Sequence, residues 1–209
     1  MADFLTAYLR TIGHEKLVWS DRKTDAGGET FGGISRRWWP DWQGWTTIDS
    51  AKGAAFPSNL RSPPFSESLE EQVRAHYEAH FWRPLLGAEM ASQAIANEVF
   101  DQAVNRGRRA AVEALQRALN FHSGADRNWL GGSWRPVDVD GRMGRRQTLP
   151  AVEQAVRHGR ARHVAATMLG LRLAAAVELT ERRSLDRANA GGWKNRIVGN
   201  LVEVWRVPV

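Results

Sequence analysis

Cysteine is absent from the 209-residue chain. That excludes disulfides, thiolate metal sites and cysteine nucleophiles. A chain without disulfides folds in a reducing compartment and can also act outside one, so cysteine usage leaves the place of action open. No apolar run approaches the roughly 18 residues of a membrane span. The opening Met1-Ala2-Asp3-Phe4-Leu5-Thr6-Ala7-Tyr8-Leu9-Arg10 has an early acid and no long apolar core, unlike a Sec signal peptide. The expectation is a protein made in the cytoplasm with no membrane span. To act on a wall in the periplasm it would need a separate export route or membrane disruption. Internal repeats are also lacking. With 43% hydrophobic and 25% charged residues, disordered and low-complexity classes are excluded.

What is present is unevenly distributed. Residues 1–96 hold 10 Lys/Arg against 12 Asp/Glu, whereas residues 97–209 hold 19 against 11, and 18 of those 19 cations are arginine. The basic second half points to a polyanionic partner. Nucleic acid, teichoic acid, anionic lipid and peptidoglycan carboxylates all fit that description, and charge alone does not choose among them.

Helical periodicity runs through most of the chain. Phe4, Leu5, Tyr8, Leu9 and Ile12 predict an amphipathic helix over 3–15, with Glu15 at or just past its end. Val18-Trp19 and Phe31-Gly32-Gly33-Ile34 flank a polar glycine-rich segment and predict a β-hairpin or an irregular glycine loop. Residues 36–66, rich in Trp, Pro, Gly and Ser, read as an ordered loop with one helical turn near Ile48–Ala51. A helix capped by Ser66 or Ser68 follows, marked by Leu69, Val73, Tyr77 and Phe81. Further helices are predicted at about 90–105, 109–121, 148–158, 161–183 and 186–206. The last carries a Trp193, Ile197, Leu201, Trp205 stripe, and a loop occupies 122–147. The class is mainly α with one small β element near the N-terminus.

Glu15, Asp25 and Thr30 form the most informative constellation. Glycosidic cleavage needs a carboxylic acid to protonate the leaving oxygen and a second group to activate water or stabilise an oxocarbenium-like state. A glutamate at a helix end beside a cleft can have its pKa raised towards the working pH. Gly27, Gly28, Gly32 and Gly33 permit tight turns and close approach of a sugar. By pattern alone, a solvated helix end followed by a turn explains the same residues.

The stretch from Glu15 through Asp25-Ala26-Gly27-Gly28-Glu29-Thr30-Phe31-Gly32-Gly33-Ile34-Ser35 resembles the opening motif of glycoside hydrolase family 108, the N-acetylmuramidases of phages and bacteria. Tyr77, Phe81 and Trp82 fit the aromatic helix that follows in that family. Phe100-Asp101-Gln102-Ala103-Val104-Asn105-Arg106-Gly107, Leu115-Gln116-Arg117-Ala118-Leu119 and Asp140-Gly141-Arg142-Met143-Gly144 resemble its associated peptidoglycan-binding region. Gly192-Trp193-Lys194-Asn195-Arg196 is similar to a motif near the end of such proteins. Two departures stand out. Lys16 and Leu17 occupy positions where the family usually has two glycines after the catalytic glutamate, and the Trp-rich insertion is longer than usual.

The resemblance implies a lysozyme-like helical fold, with a catalytic lobe over 1–96 and a helical peptidoglycan-binding region over 97–209 packed with it as one unit. It implies a muramidase cleaving the β-1,4 bond between N-acetylmuramic acid and N-acetylglucosamine. Glu15 would act as general acid, with Asp25 and Thr30 managing the water. Gly28, Phe31, Trp39, Tyr77 and Asn105 are the candidate substrate contacts. A water between the carboxylates would give inversion, with the groups about 6.5–9.5 Å apart. The implied setting is a phage or prophage endolysin, monomeric, released by a holin or another route, with peptidoglycan as partner and no nucleic acid, cofactor or metal. A non-catalytic wall-binding module and a lytic transglycosylase are the competing readings.

Several residues also have plain structural readings. Trp38, Trp39, Trp42 and Trp45 are cleft-rim candidates, whereas Trp193 and Trp205 read as packing. Asn105 could serve as a helix terminator. His76 and His80, one turn apart, lack a third metal ligand and read as surface or aromatic packing. Asp138 and Asp140 with Gly141 are too short for a calcium loop. Asp21 and Glu29 are rival carboxylates, with Glu29 read as a solvated turn residue.

Overall fold

The computed structural model describes residues 1–21, 27–124, 134–182 and 187–206, with the backbone alone for His14, Glu15 and 187–190. Asp25 and the Gly131-Gly132 pair lie outside the described residues. The chain is mainly helical with one small antiparallel sheet. It forms two compact units, Tyr8–His80 and Met1–Ala7 together with Phe81–Val209. Among the described residues, no helix is long and apolar enough to cross a membrane.

Helix α1 spans Phe4–Glu15. It starts where Asp3 supplies a capping carboxylate that accepts from the Thr6 N–H at 2.7 Å and from the Thr6 hydroxyl at 2.7 Å. These hydrogen bonds hold the Asp3 carboxyl below its usual range. Ala7, Tyr8 and Thr11 form its buried stripe, while Leu5 and Leu9 are exposed. The helix ends on a left-handed residue. Lys16, at φ +57°, donates its N–H to the Ile12 carbonyl at 2.8 Å, the single-bond left-handed cap usually built on glycine.

In the Tyr8–His80 unit, strands β1 (Trp19–Asp21), β2 (Glu29–Phe31) and β3 (Ile34–Ser35) pair in that order, all antiparallel. Trp19 faces Phe31, and Thr30 faces both Ser20 and Ser35. The expected hairpin is thus a three-stranded meander. Helix α2 covers Gly44–Ser50, and helix α3 covers Phe65–Tyr77. The expected serine cap on α3 is absent: Pro64 holds the cap position without a side-chain hydrogen bond. Leu69, Val73 and Tyr77 of α3 are buried with Phe31, Ile34 and Ile48.

The helical unit is built around α4 (Gln93–Arg106), which packs on α5 (Arg108–Ser123) and α7 (Ala161–Arg182). Helix α6 (Thr148–Arg157) lies against α5 and α7, and α8 (Arg187–Val204) against α7. The Ser92 hydroxyl caps α4 by accepting from the Ile95 N–H. Every residue from Ala94 to Ala103 is buried, so α4 has no solvent face over that span and Asn97, Glu98, Asp101 and Gln102 are interior. Phe4 joins this core edge-on to Phe100 at 6.0 Å and tilted against Trp82 at 5.8 Å. The sequence stripe on α8 is rotated from the expected one. Ile197, Asn200 and Val204 are buried, and Leu201 and Trp205 are exposed. The reason is electrostatic: Arg196 and Asn200 must both face Asp101.

Candidate functional site

The end of α1 delivers Glu15 to the start of the sheet. Three residues after the left-handed Lys16 the chain enters β1, and Gly27 and Gly28 lead into β2. Gly28, at φ +63°, sits at the re-entry into β2. Next to it the Thr30 hydroxyl donates to the Gly28 carbonyl at 3.0 Å, and the Ser35 hydroxyl donates to the Gly27 carbonyl at 2.6 Å. Two strand hydroxyls therefore tie down the Gly-Gly segment. Each oxygen keeps lone pairs with which to accept from a water.

Glu29 is not the solvated turn residue that the sequence suggests. Its side chain is only 15% exposed. It accepts from the Trp19 indole N–H at 2.9 Å and pairs with Arg36 at 2.6 Å and Lys52 at 3.3 Å. Arg36 continues to Asp49 in a two-pronged pair at 2.7 and 2.9 Å, and Lys52 reaches Asp49 at 2.8 Å. Hydrogen bonds from Arg36 and then Lys52 hold the Asp49 carboxyl down to about 2. This four-residue network fixes the edge of the motif strand. The sequence hid it because Glu29 lies 7 to 23 residues from its partners and each member is an ordinary charge on its own.

Phe31 and Tyr77 are buried, and they hold the site from behind. The Tyr77 hydroxyl donates to the Gly32 carbonyl at 2.8 Å. Gly32 suits a tight position, since a Cβ there would press to 3.3 Å from both Leu17 and Val73 at an unfavourable φ of +54°. Phe31 stacks on Trp42 with ring centres 6.4 Å apart. Through that contact the motif strand supports an aromatic slot of about 490 Å³, walled by Trp38, Trp39, Trp42, Gln72, His76 and His80.

Trp38 is 67% exposed, and Trp39 and Trp42 are half-buried. Trp45 departs from the cleft-rim expectation. It is buried, donates its indole N–H to the Trp39 carbonyl at 2.8 Å, and carries Arg36 over its ring at 4.5 Å. His76 and His80 pack on Trp39 with ring centres 4.6 and 4.5 Å away. Burial, with His80 as the second cause, pushes the His76 imidazole down to about 4, so it is neutral at pH 7.

Asn105 belongs to the helical unit. Its amide donates to the Asp101 carbonyl at 2.7 Å, one turn from the end of α4 at Gly107. It also lines a cavity of about 290 Å³ with Arg106, Arg172 and Trp193. Asp101 itself is fully buried and pairs with Arg172 at 2.5 Å and Arg196 at 2.5 Å. Burial pushes its carboxyl up, but Arg196 and then Arg172 outweigh that and hold it below the usual range. The Asp101 and Arg196 motifs, 95 residues apart, thus meet as an ion pair.

Gln116 joins two more motifs. Its Oε1 accepts from the Asp140 and Gly141 N–H groups at 3.0 and 2.9 Å, and its Nε2 donates to Asp140 Oδ1 at 2.8 Å. Asp140 and Gly141 therefore form an anchored turn.

The comparisons with known proteins agree with this architecture. A family model described as glycosyl hydrolase 108 matches residues 9–107, and one described as a predicted peptidoglycan domain matches 110–198. The solved structure of SagA from Brucella abortus superposes with a TM-score of 0.59 at 18% identity, covering 97% of this chain and 94% of that one. The likeness to SagA establishes a shared fold. No curated protein matches the chain. With its sheet, helices and motif pairs placed as described, the chain belongs over residues 9–107 to the glycosyl hydrolase 108 family and carries over residues 110–198 the predicted peptidoglycan domain.

Proposed function

We propose that this peptidoglycan hydrolase is a muramidase that cleaves the β-1,4 bond between N-acetylmuramic acid and N-acetylglucosamine, with Glu15 as general acid. The observation that supports the reading is the arrangement within the family-matched region: Glu15 closes α1, and Gly28 and Thr30 lie at the entry to β2, with Asp25 between α1 and β2 in the sequence. Asp25 orients or deprotonates the water, and the Thr30 oxygen, supported by its bond to Gly28, accepts from it. Trp38 and Trp39 offer indole faces to pyranose rings, Gly28 lets the polymer approach the backbone, and Phe31 and Tyr77 brace the walls. Asn105 is assigned to an N-acetyl contact.

The hydrolytic lobe is assigned to residues 1–96 and the wall-holding region to 97–209. An endolysin role with release through a holin fits a wall substrate.

The test is turbidity loss of purified peptidoglycan with wild type and Glu15→Gln side by side, followed by mass analysis of the fragments. Wild type lyses and releases hydrated, reducing-end muramic acid, while Glu15→Gln loses about 10²–10⁴-fold in rate. Proton NMR of early products gives inversion at the anomeric carbon. Anhydro-muramic ends would replace the assignment with a lytic transglycosylase. A folded wild type that pellets with the wall but releases nothing would replace it with a binding module.

A further inference from the structure

The helical unit holds a cavity of about 470 Å³ that the hydrolytic reading does not use. It opens between the extended segment around Trp134–Asp138 and the first turns of α6. Two exposed arginines, Arg135 and Arg146, line it. In the same unit Arg109, Arg145, Arg157, Arg172, Arg182 and Arg196 each have a carboxylate partner. Among the described residues, Arg135 and Arg146 have none.

The walls are held in place before any ligand arrives. Asn120 both donates to the Val137 carbonyl and accepts from the Val137 N–H, each at 2.8 Å. Trp134 donates its backbone N–H to the Ser123 carbonyl, and its buried ring stacks on His158 at 6.1 Å and 12°. Among the described residues, Asp138 is the one acid of the lining, and Gln147 engages it from both ends of its amide. The first turn of α6 bears no acid and the Gln147 side chain, turned to Asp138, does not cap the helix N–H groups, so the helix presents its positive end here.

We propose that this cavity takes the carboxylate-bearing peptide stem of peptidoglycan, with Arg135 and Arg146 pairing its carboxylates and the Gln154 amide meeting its backbone. The identity of the polymer rests on the peptidoglycan reading above. The chemistry is that of an extended, acidic peptide bound by planar guanidiniums, which match carboxylates in two-pronged geometry. Asp138 gives the site a place for an ammonium group, as on a diamino-acid side chain. This residue set therefore distinguishes a peptide stem from a bare polyanion, which offers no cation.

The experiment is titration calorimetry of the full chain with a soluble tetrapeptide stem, L-Ala-γ-D-Glu-diaminopimelate-D-Ala. Peptide-free glycan strands and a single-stranded oligonucleotide serve as comparison ligands. Wild type binds the stem peptide, and Arg135→Ala/Arg146→Ala weakens it at least about tenfold, with unchanged circular dichroism and melting temperature. Glu15→Gln binds the peptide as wild type does, which separates this site from the hydrolytic one. Peptide binding by a chain that cleaves no glycan would sustain this site while removing the muramidase reading. Active hydrolysis with no peptide binding, or with binding indifferent to both arginines, would overturn it. Equal binding of the oligonucleotide at the same arginines would overturn it in favour of an unselective polyanion surface.

Discussion

In the helical unit, the motif residues Asp101 and Arg196 are turned inward and paired with each other, and Gln116 is bonded to the Asp140-Gly141 turn, whereas in the Tyr8–His80 unit Gly28, Thr30 and Trp38 remain accessible. Asp101 and Gln116 are 0% and 1% exposed. Each is a polar group that an apolar core must satisfy completely, because an unmet buried charge or amide costs several kcal/mol. Trp38, at 67%, faces the opposite situation: a large apolar surface is left in water. Motif matches therefore carry two different meanings in this chain. In the second half they record how distant segments are bolted together. In the first half they record a turn and a slot that a ligand can reach.

The largest expected effect breaks the inward half of this contrast. Asp101→Ala leaves Arg172 and Arg196 buried without their carboxylate, at a cost of about 3–5 kcal/mol. Urea denaturation followed by tryptophan fluorescence measures it. A loss below about 1 kcal/mol would mean that the ion pair is a surface-like contact after all.

A second effect comes from the histidine beside the aromatic slot. His76 titrates near 6.5 in the unfolded chain and at about 4 when folded. Between those values the unfolded state binds the proton more tightly, so stability falls as pH drops from 6.5 to about 4 and levels off below. The drop amounts to about 3 kcal/mol. His76→Phe flattens that part of the profile, and thermal melts at pH 4.5 and 7 compare the two proteins. If both melt with the same pH slope, the slot does not desolvate His76.

These contrasts also explain which features were legible in the sequence. The helices α4 to α7 follow from periodicity to within a few residues, because their apolar stripes meet a core. The β element was legible from its glycines and flanking apolar pairs, although the third strand, Ile34–Ser35, is too short to announce itself. Long-range polar partners were not legible. Nothing local marks Glu29 as the hub of Arg36, Lys52 and Trp19, or says that Asp101 and Arg196 will meet. The stripe on α8 differs from expectation for the same reason: tryptophan at helical spacing suggests burial, but the buried ion pair sets the rotation of the helix.

The outward half of the comparison is sharpened by Trp38→Ala. The exposed indole contributes little to folding, so stability changes by less than about 0.5 kcal/mol. Affinity for a soluble chitooligosaccharide falls about tenfold, the loss of one ring-stacking contact of about 1.4 kcal/mol. Calorimetry on the folded variant reads both quantities. A stability loss larger than the binding loss would place Trp38 with Trp45 in the core and remove it from the slot.

The smallest expected effect lies at the end of α1, where the sequence departs from its family. Lys16 adopts φ +57° and closes the helix by bonding to Ile12. A side chain in that conformation is strained against its own backbone, and glycine is not. Lys16→Gly removes the strain but gives the unfolded chain more freedom, so the net gain is about 0.5–1 kcal/mol. The gain should appear in chemical denaturation at both low and high salt, because its origin is steric. Stabilisation that vanished at high salt would instead assign the effect to the lysine charge next to Glu15. A variant with unchanged stability would show that the left-handed turn is relieved by a shift in the Lys16 backbone. The peptidoglycan turnover of the same variant, measured beside its stability, then separates a cap that only ends a helix from one that also sets the position of Glu15.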